Sequence, residues 1–411
     1  MQLTTSFTDK MRHYLDLEDK YGAHNYHPLP VVLDKGKGVF VWDVDGKRYY
    51  DFLSGYSALN QGHCHPAIIA TLIEQAQKLT LTSRAFHSDA LGEYAQFITS
   101  YFGYDKVLPM NTGVEAVETA IKLCRRWGYT VKGIPENQAK IIVCADNFHG
   151  RTSTVISFSS DPGAYKNFGP YMPGFEIIPY NNLDALAKAL QDSSVAGFLV
   201  EPIQGEAGVV VPDEGYLSKA KQYCGDANVL FIGDEIQTGL SRTGKMLACD
   251  HENVRPDILI LGKALSGGTL PISAVLADDE IMLTIKPGEH GSTYGGNPLA
   301  CKVAVTALTV LKTERMNENA QEQGELFRNE LKKLNSPYIG IVRGKGLLNA
   351  IVIQHSDPEA AWKLCLALKE NGLLAKPTHG DKIRFAPPLI INREQILESV
   401  AIIQKSLLTL S

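Results

Sequence analysis

The sequence predicts an α/β protein built on a mostly parallel sheet, because short apolar runs alternate with helical stretches along its middle. Two runs, 229–232 and 258–261, contain no charge and are each followed by glycine, which is typical of strands buried on both faces. Helical patterns at 183–190 and 217–224 separate neighbouring runs. The strands predicted for this sheet are 107–110, 141–144, 176–179, 197–200, 229–232, 258–261 and 272–276.

The first 56 residues predict a separate segment with a helix and an antiparallel hairpin. A polar helix is expected near 8–21. Two aromatic and β-branched runs, 39–43 and 48–52, flank an Asp45-Gly46 turn, and this combination is a hairpin signal. Helical patterns follow at 66–78 and 88–101.

The pattern changes again beyond about residue 316. A charged helix at 321–334 is followed by short strands at 339–342 and 347–353 and by helices at 358–371 and from Arg393 onward. This mixture predicts an α+β unit. The sequence therefore divides into an N-terminal segment (1–56), a large domain (57–315) and a small C-terminal domain (316–411).

Composition disfavours several classes of function. With 411 residues, 44% hydrophobic and 21% charged residues and a net charge of -5, the chain lacks the basic surface expected for nucleic-acid or membrane binding. No apolar run reaches the roughly 18 residues of a membrane span, and the N-terminus lacks a signal-peptide pattern. Seven scattered cysteines without a C-x-x-C spacing predict buried thiols in a reducing compartment, so a cytoplasmic location is expected.

A metal site is not expected. His63-Cys64-His65 offers metal-binding side chains, but adjacent residues on a turn do not easily close around one ion, and no second pair has suitable spacing.

Charged residues follow the two central strands where each strand ends. Asp234 lies two residues after the first run, and Lys263 lies two residues after the second. Because ligands bind outside the carboxyl ends of parallel strands, both side chains are expected at one edge of the sheet. A lysine and a carboxylate together suit pyridoxal phosphate, which needs an amine to form a Schiff base and an acid beside its ring nitrogen. A structural ion pair is the alternative.

A candidate phosphate site lies at the N-terminus of the helix that follows strand 107–110. Thr112 is a candidate helix cap, and Gly113 permits a close approach of the backbone. Free N–H groups at such a turn can hold a phosphate, although many similar turns simply cap a helix.

Four stretches carry a resemblance to a known family. They are Val200–Glu206, Phe231–Gly239, Leu261–Gly268 and His290–Pro298. Together they resemble the class III pyridoxal-phosphate-dependent aminotransferases, and the resemblance covers essentially the whole chain. It implies a fold type I transferase: a large domain around a mostly parallel seven-stranded sheet, plus a smaller α+β domain from the C-terminal part and the N-terminal segment.

The resemblance implies a pyridoxal 5′-phosphate site. The matching positions are Gly113, Val114, Phe148, Asp234, Gln237, Lys263 and Thr293. The first two match the phosphate-binding turn. Lys263 matches the Schiff-base lysine that also moves protons, Asp234 the partner of the ring nitrogen, Gln237 the residue that binds the ring hydroxyl oxygen, and Phe148 the ring that stacks on the cofactor. In the family, the threonine at the position of Thr293 reaches the phosphate of the neighbouring subunit, which implies a homodimer or a larger homo-oligomer.

The resemblance also implies two carboxylate sites. Arg151 matches the arginine that binds the carboxylate of L-ornithine, Tyr26 the residue that reaches its α-amino group, and Tyr56 a residue of the pocket wall. Arg384 matches the arginine that binds glutamate or 2-oxoglutarate, and Glu206 the residue that covers it while ornithine reacts. These positions favour transfer of the δ-amino group of L-ornithine to 2-oxoglutarate.

Other activities are alternatives to this one. N-acetylornithine or 4-aminobutyrate could be the donor, although relatives acting on N-acetylornithine usually lack tyrosines at positions 26 and 56. A decarboxylase or aminomutase would turn over without 2-oxoglutarate. A cofactor-free protein that keeps the fold would be colourless, and Asp234, Lys263 and Thr293 argue against it.

Overall fold

The computed structural model describes residues 7–410, in which the strands form three sheets. In chain order the strands are β1 (Leu33–Lys37), β2 (Phe40–Asp43), β3 (Arg48–Asp51), β4 (Lys106–Met110), β5 (Lys140–Cys144), β6 (Phe175–Ile178), β7 (Val195–Val200), β8 (Leu230–Asp234), β9 (Ile258–Leu261), β10 (Ser273–Ala277), β11 (Ile339–Lys345), β12 (Leu348–Ile353), β13 (Leu373–Leu374), β14 (Lys376–Thr378) and β15 (Lys382–Phe385).

Helices surround these sheets. They are α1 (Asp9–Tyr21), α2 (Ser54–Ser57), α3 (Pro66–Lys78), α4 (Asp89–Phe102), α5 (Gly113–Thr130), α6 (Ser153–Ile156), α7 (Pro162–Tyr165), α8 (Leu183–Ala189), α9 (Tyr216–Asp226), α10 (Asp279–Met282), α11 (Pro298–Thr313), α12 (Met316–Lys333), α13 (Ala360–Glu370) and α14 (Arg393–Leu407). Short 3-10 helices span Ala248–Glu252, Lys263–Ser266 and Leu408–Leu410. Within residues 7–410, no helix is both long and apolar enough to cross a membrane.

The central sheet has seven strands in the order β4-β10-β9-β8-β7-β5-β6. Strand β10 runs antiparallel to both of its neighbours, and the other neighbouring strands pair in parallel. Every residue of β7, β8, β9 and β10 is buried, as expected for strands covered on both faces. The predicted fold class is therefore confirmed.

Local signals in the sequence account for several helix ends. Thr8 and Ser88 cap α1 and α4 through their side-chain oxygens, and Pro66 occupies the first turn of α3, where its missing N–H costs nothing. The hairpin predicted around Asp45-Gly46 is the antiparallel pair β2-β3.

Some elements depend on distant partners and were not predicted from the sequence. The two-residue strand β13 pairs in parallel with β3, placing Leu373 opposite Tyr50. This pairing adds a strand from the C-terminal part to the N-terminal sheet β1-β2-β3. The remaining sheet, with the order β11-β12-β15-β14, lies entirely in the C-terminal part. The division of the chain at residues 56 and 315 stays a prediction.

The cysteines depart from the prediction at one position. Six of the seven are buried and reduced, but Cys64 is exposed on its turn. The flanking histidines bind carboxylates, since His63 lies 2.7 Å from Asp51 and His65 lies 2.9 Å from Glu314.

Candidate active site

A cavity of about 200 Å³ lies at the carboxyl ends of β8 and β9. Asp234 is the last residue of β8 and Lys263 follows β9, and both line the cavity as their positions in the sequence predicted. The other lining residues are Gly113, Val114, Phe148, His149, Gly150, Glu201, Glu206, Ile236, Gln237 and Thr238. Among the residues predicted for the cofactor, Thr293 is therefore the one that does not line this cavity.

Asp234 is fixed by a histidine. Its Oδ2 atom lies 2.6 Å from Nδ1 of His149, and its Oδ1 atom accepts the N–H of Ile236 at 3.1 Å. Burial alone would lower the pKa of His149, but the hydrogen bond and the charge of Asp234, together with the charge of Glu201, outweigh burial and raise this pKa. Among residues 7–410, Asp234 forms its ion pair with His149, so an Asp234–Lys263 ion pair is not observed.

Lys263 lies on an unusual stretch of backbone. Gly262 is extended, and Lys263 then adopts a φ of 45° at the start of a 3-10 helix. Left-handed backbone is uncommon for residues with a side chain and often occurs at functional sites. Burial lowers the pKa of Lys263, against the influence of nearby Glu206. A larger fraction of the amine is therefore in the neutral form, which is the nucleophilic one.

The start of α5 provides the phosphate-binding geometry. Thr112 caps the helix through a reciprocal pair with Glu115: the Thr112 side chain accepts the Glu115 N–H at 3.4 Å, and the Glu115 carboxylate accepts the Thr112 N–H at 2.7 Å. Gly113 and Val114 then face the cavity with the first N–H groups of the helix, which have no carbonyl partner within it. A Cβ on Gly113 would lie 3.1 Å from Ile236, so a larger residue would crowd this turn.

These groups fit pyridoxal phosphate. One cavity brings together helix N–H groups for a phosphate, a buried carboxylate for a ring nitrogen, an amine for the aldehyde carbon and the Phe148 ring. The Nε2 atom of His149 is also buried without a partner among the described residues.

An arginine, a glutamate and a glutamine meet beside Lys263. Nη1 of Arg384 lies 2.6 Å from Oε1 of Glu206 and donates at 3.3 Å to Oε1 of Gln237. The Gln237 amide in turn donates to Glu206 at 3.0 Å. Burial alone would raise the pKa of Glu206, but Arg384, with smaller contributions from Lys263 and Gln237, outweighs burial and lowers this pKa. The Nε and Nη2 atoms of Arg384 remain buried without partners within residues 7–410, so they are available to a ligand.

The remaining predicted residues surround this centre. The Arg384 guanidinium lies 5.1 Å from the Tyr56 ring centroid, and the Arg151 guanidinium lies 5.6 Å from that of Phe148. Arg151 and Tyr26 line a separate outer cavity of about 630 Å³, in which Tyr26 is 70% exposed. Thr293 is exposed in the loop between α10 and α11.

Two residues that line the cavity, His149 and Glu201, were not predicted as site residues from the sequence. Both belong to the motifs that carried the resemblance or lie next to them, and His149 stands between Phe148 and Gly150. Glu201 is buried and accepts the Phe148 N–H at 2.9 Å, which anchors the loop holding both Phe148 and His149. Since their partners come from distant parts of the chain, motif spacing alone could not assign these contacts.

Comparison with known proteins gives consistent results. The family model for aminotransferase class-III matches residues 21–407. The chain is 65% identical over 393 residues to a Drosophila melanogaster protein named ornithine aminotransferase, mitochondrial, covering 96% of this chain and 91% of that protein. The Rattus norvegicus protein of the same name is 64% identical over 95% of this chain and 89% of its own length.

Solved structures agree in fold and differ in their described substrates. The ornithine aminotransferase of Toxoplasma gondii, described with partial occupancy of PLP at its active site, has a TM-score of 0.96 at 52% identity, covering 97% of this chain and 94% of that one. The acetylornithine aminotransferase of Elizabethkingia anophelis has a TM-score of 0.89 at 59% identity, covering 97% and 99%.

Proposed function

Because this chain belongs to the aminotransferase class-III family, we propose that it transfers the δ-amino group of L-ornithine to 2-oxoglutarate through pyridoxal 5′-phosphate. The products are glutamate and glutamate-5-semialdehyde, which cyclises to pyrroline-5-carboxylate. The two substrates react in turn by a ping-pong scheme. Such a reaction connects arginine breakdown with proline synthesis.

The Glu206–Arg384 pair is the observation that carries this assignment. Ornithine reacting at its δ-amine keeps its carboxylate far from the reacting carbon, whereas glutamate reacting at its α-amine places a carboxylate beside it. One arginine cannot serve both arrangements. Arg384 is buried beside the cavity and bound to Glu206, while Arg151 lines the outer cavity with Tyr26. We assign Arg151 to the ornithine carboxylate and Arg384, after Glu206 moves away, to that of 2-oxoglutarate.

The chain's own residues divide the chemical work. When bound, pyridoxal phosphate supplies an electron sink for the carbon that loses a proton. Asp234, oriented by His149 at 2.6 Å, holds a proton on the ring nitrogen. The Nζ atom of Lys263 would remove a proton from the substrate carbon that bears the amine and hold it for return in the 1,3 proton shift. Gly113 and Val114 would hold the phosphate, Phe148 would cover the ring, and Gln237 would bind the ring hydroxyl oxygen.

We further propose a homodimer with active sites shared between subunits and a cytoplasmic location. Exposed Thr293, which does not line the cavity of its own chain, supports a role at the partner's phosphate. The seven free cysteines support a reducing compartment. Light scattering of the purified protein tests the first proposal. Fractionation of cells tests the second, with a mitochondrial fraction as the contrary result, since the Drosophila melanogaster and Rattus norvegicus relatives are named mitochondrial.

A second donor is tested in the same experiment, because the Elizabethkingia anophelis relative is described as an acetylornithine aminotransferase. The purified yellow protein is mixed separately with L-ornithine, N-acetylornithine and 4-aminobutyrate, and the visible band of the bound cofactor is followed by stopped flow. Fast conversion with L-ornithine alone, with pyrroline-5-carboxylate as product, is expected. A preference for N-acetylornithine would leave the assignment of the cofactor site unchanged. It would contradict the roles assigned to Tyr26 and Tyr56.

A further inference from the structure

Arg343 contacts the turn that carries Glu206. It lies on β11, and its Nε atom donates to the carbonyl oxygen of Gly208 at 2.8 Å, while Nη2 reaches that of Ala207 at 3.5 Å. Both acceptors follow Glu206 directly in the chain. None of the roles assigned above involves Arg343.

The turn is tight enough for such a contact to set the position of Glu206. Gln204 and Val210 close it with two backbone hydrogen bonds of 3.1 and 2.9 Å, and the N–H of Gly208 donates to Gly205 at 3.1 Å. A Cβ on Gly205 would overlap the amide oxygen of Gln237. Val209 has a φ of 58°, which is unfavourable for a β-branched residue and is maintained by its surroundings.

Arg343 and Arg384 also occupy one row of the C-terminal sheet. Ala350 on β12 is the register partner of Arg343 on one side and of Arg384 on the other. Side chains in register on neighbouring strands point to the same face, so the two arginines face the turn together, about 10 Å apart along the row. One holds the carboxylate of Glu206, and the other holds the backbone that follows it.

We propose that Arg343 is a positioning residue for Glu206 and thereby a determinant of which amino group of ornithine reacts. By fixing the 205–208 turn against the row that contains Arg384, it keeps Arg384 covered while the amine donor is bound. This inference rests on the proposed function. Releasing the turn lets Glu206 leave Arg384, so that a carboxylate can bind there and the α-amine of ornithine can enter.

The test begins with Arg343→Gln. We expect the ratio of α- to δ-transamination of L-ornithine to rise about tenfold, the scale of a lost hydrogen bond from a charged donor. The KM for glutamate falls while its kcat is retained, and glutarate, an unreactive dicarboxylate, binds more tightly by calorimetry. Arg343→Lys keeps the positive charge but can bind only one of the two carbonyl oxygens, so it should give an intermediate ratio of α- to δ-transamination. Thermal melting of each variant verifies its fold.

Arg328→Gln is the matched control. Arg328 also binds groups of the C-terminal part, donating at 2.7 Å to the Gly346 carbonyl and to the Asn349 side chain. Its loss removes a comparable, partly buried guanidinium without touching the 205–208 turn, so a wild-type α-to-δ ratio is expected. A rise equal to that of Arg343→Gln would overturn the inference, because general loosening would then explain both.

A double variant separates this inference from the proposed function. If Arg343 acts through Glu206, Arg343→Gln adds nothing to the ratio already raised by Glu206→Ala. A rise with Glu206→Ala and none with Arg343→Gln overturns the role of Arg343 and leaves the proposed function intact. An unchanged ratio in both single variants overturns the covering role of Glu206, and the inference falls with it.

Discussion

The Nη1 atom of Arg384 lies 2.6 Å from Oε1 of Glu206, and the arginine side chain is fully buried. A buried guanidinium paired with a movable carboxylate can serve two substrates in succession. With Glu206 in place, the positive charge of Arg384 is neutralised and does not attract a substrate carboxylate. When Glu206 moves away, the same group becomes a strong site for one.

Arg384→Ala should separate the two half-reactions. The reaction with 2-oxoglutarate is expected to slow by about a hundredfold or more, because removing one member of a buried charge pair costs roughly 2–5 kcal/mol. The reaction with L-ornithine, whose carboxylate is assigned to Arg151, should change little. Single-turnover stopped-flow measurements of each half-reaction give the comparison. Equal losses in both would contradict separate carboxylate sites.

Glu206→Ala should uncover Arg384 and relax the choice of amino group. The α-transamination product of L-ornithine is expected to rise about tenfold relative to pyrroline-5-carboxylate, since Arg384 loses a charged hydrogen-bond partner at 2.6 Å. Chromatography of the products measures the ratio. Glu214→Ala, an exposed position outside the site, is the control. δ-Chemistry alone at the wild-type rate would show that Glu206 does not cover Arg384.

Lys263→Ala should abolish the visible absorbance of the lysine-bound cofactor and the turnover of L-ornithine. Lys263 lines the cavity and supplies the amine to which the cofactor binds, so its removal takes away the bond that gives this absorbance. Absorbance spectra after incubation with pyridoxal phosphate provide the measurement, and exposed Lys245→Ala is the matched control. An unchanged spectrum in the Lys263 variant would remove this residue from its role.

Glu201→Gln should alter the pH dependence of stability. Burial raises the pKa of Glu201 to about 7 from an ordinary value of 4.5, with Asp234 adding to the effect and His149 opposing it. Between those two pKa values the folded protein binds one more proton than the unfolded chain. The contribution of Glu201 to the free energy of unfolding therefore falls as pH rises. Glutamine stays neutral and keeps a carbonyl for the Phe148 N–H. Relative to wild type, the variant should gain about 3 kcal/mol of unfolding free energy from pH 4.5 to 7.

Urea unfolding at several pH values measures this difference. Glu214→Gln provides the reference for an exposed glutamate. Stability curves of wild type and Glu201→Gln that run parallel over the whole range would show that Glu201 titrates normally in the folded protein.

Tyr26→Phe and Tyr56→Phe should each reduce the difference in kcat/KM between L-ornithine and N-acetylornithine. Both hydroxyls are assigned to the ornithine pocket, so their loss should lower kcat/KM for L-ornithine by about tenfold, the value of one or two hydrogen bonds. The value for N-acetylornithine should change less. Steady-state kinetics with both donors measure the effect, and Tyr338→Phe, whose ring packs near His355, is the control. Equal losses for both donors would remove the tyrosines from donor selection.

The sequence predicted features that depend on strand ends and local patterns. Asp234 and Lys263 could be placed together because parallel strands end at one edge. Helix α11 was not predicted, although its buried residues recur every three or four positions along one face, which is the pattern of an amphipathic helix. The contacts of His149 with Asp234 and of Arg343 with the 205–208 turn join residues 85 and 135 positions apart, so they appear only in three dimensions.

The pairing of β3 with β13 has a consequence for biosynthesis. The N-terminal hairpin leaves the ribosome early, but its neighbouring strand begins at Leu373. At about 5–20 residues per second, the edge of β3 waits roughly 15–60 s for its partner. During that interval an unpaired edge is open to other chains, and nascent-chain chaperones that cover extended segments would protect it. Protease sensitivity of the hairpin in ribosome-bound chains should therefore persist until residues 373–374 emerge.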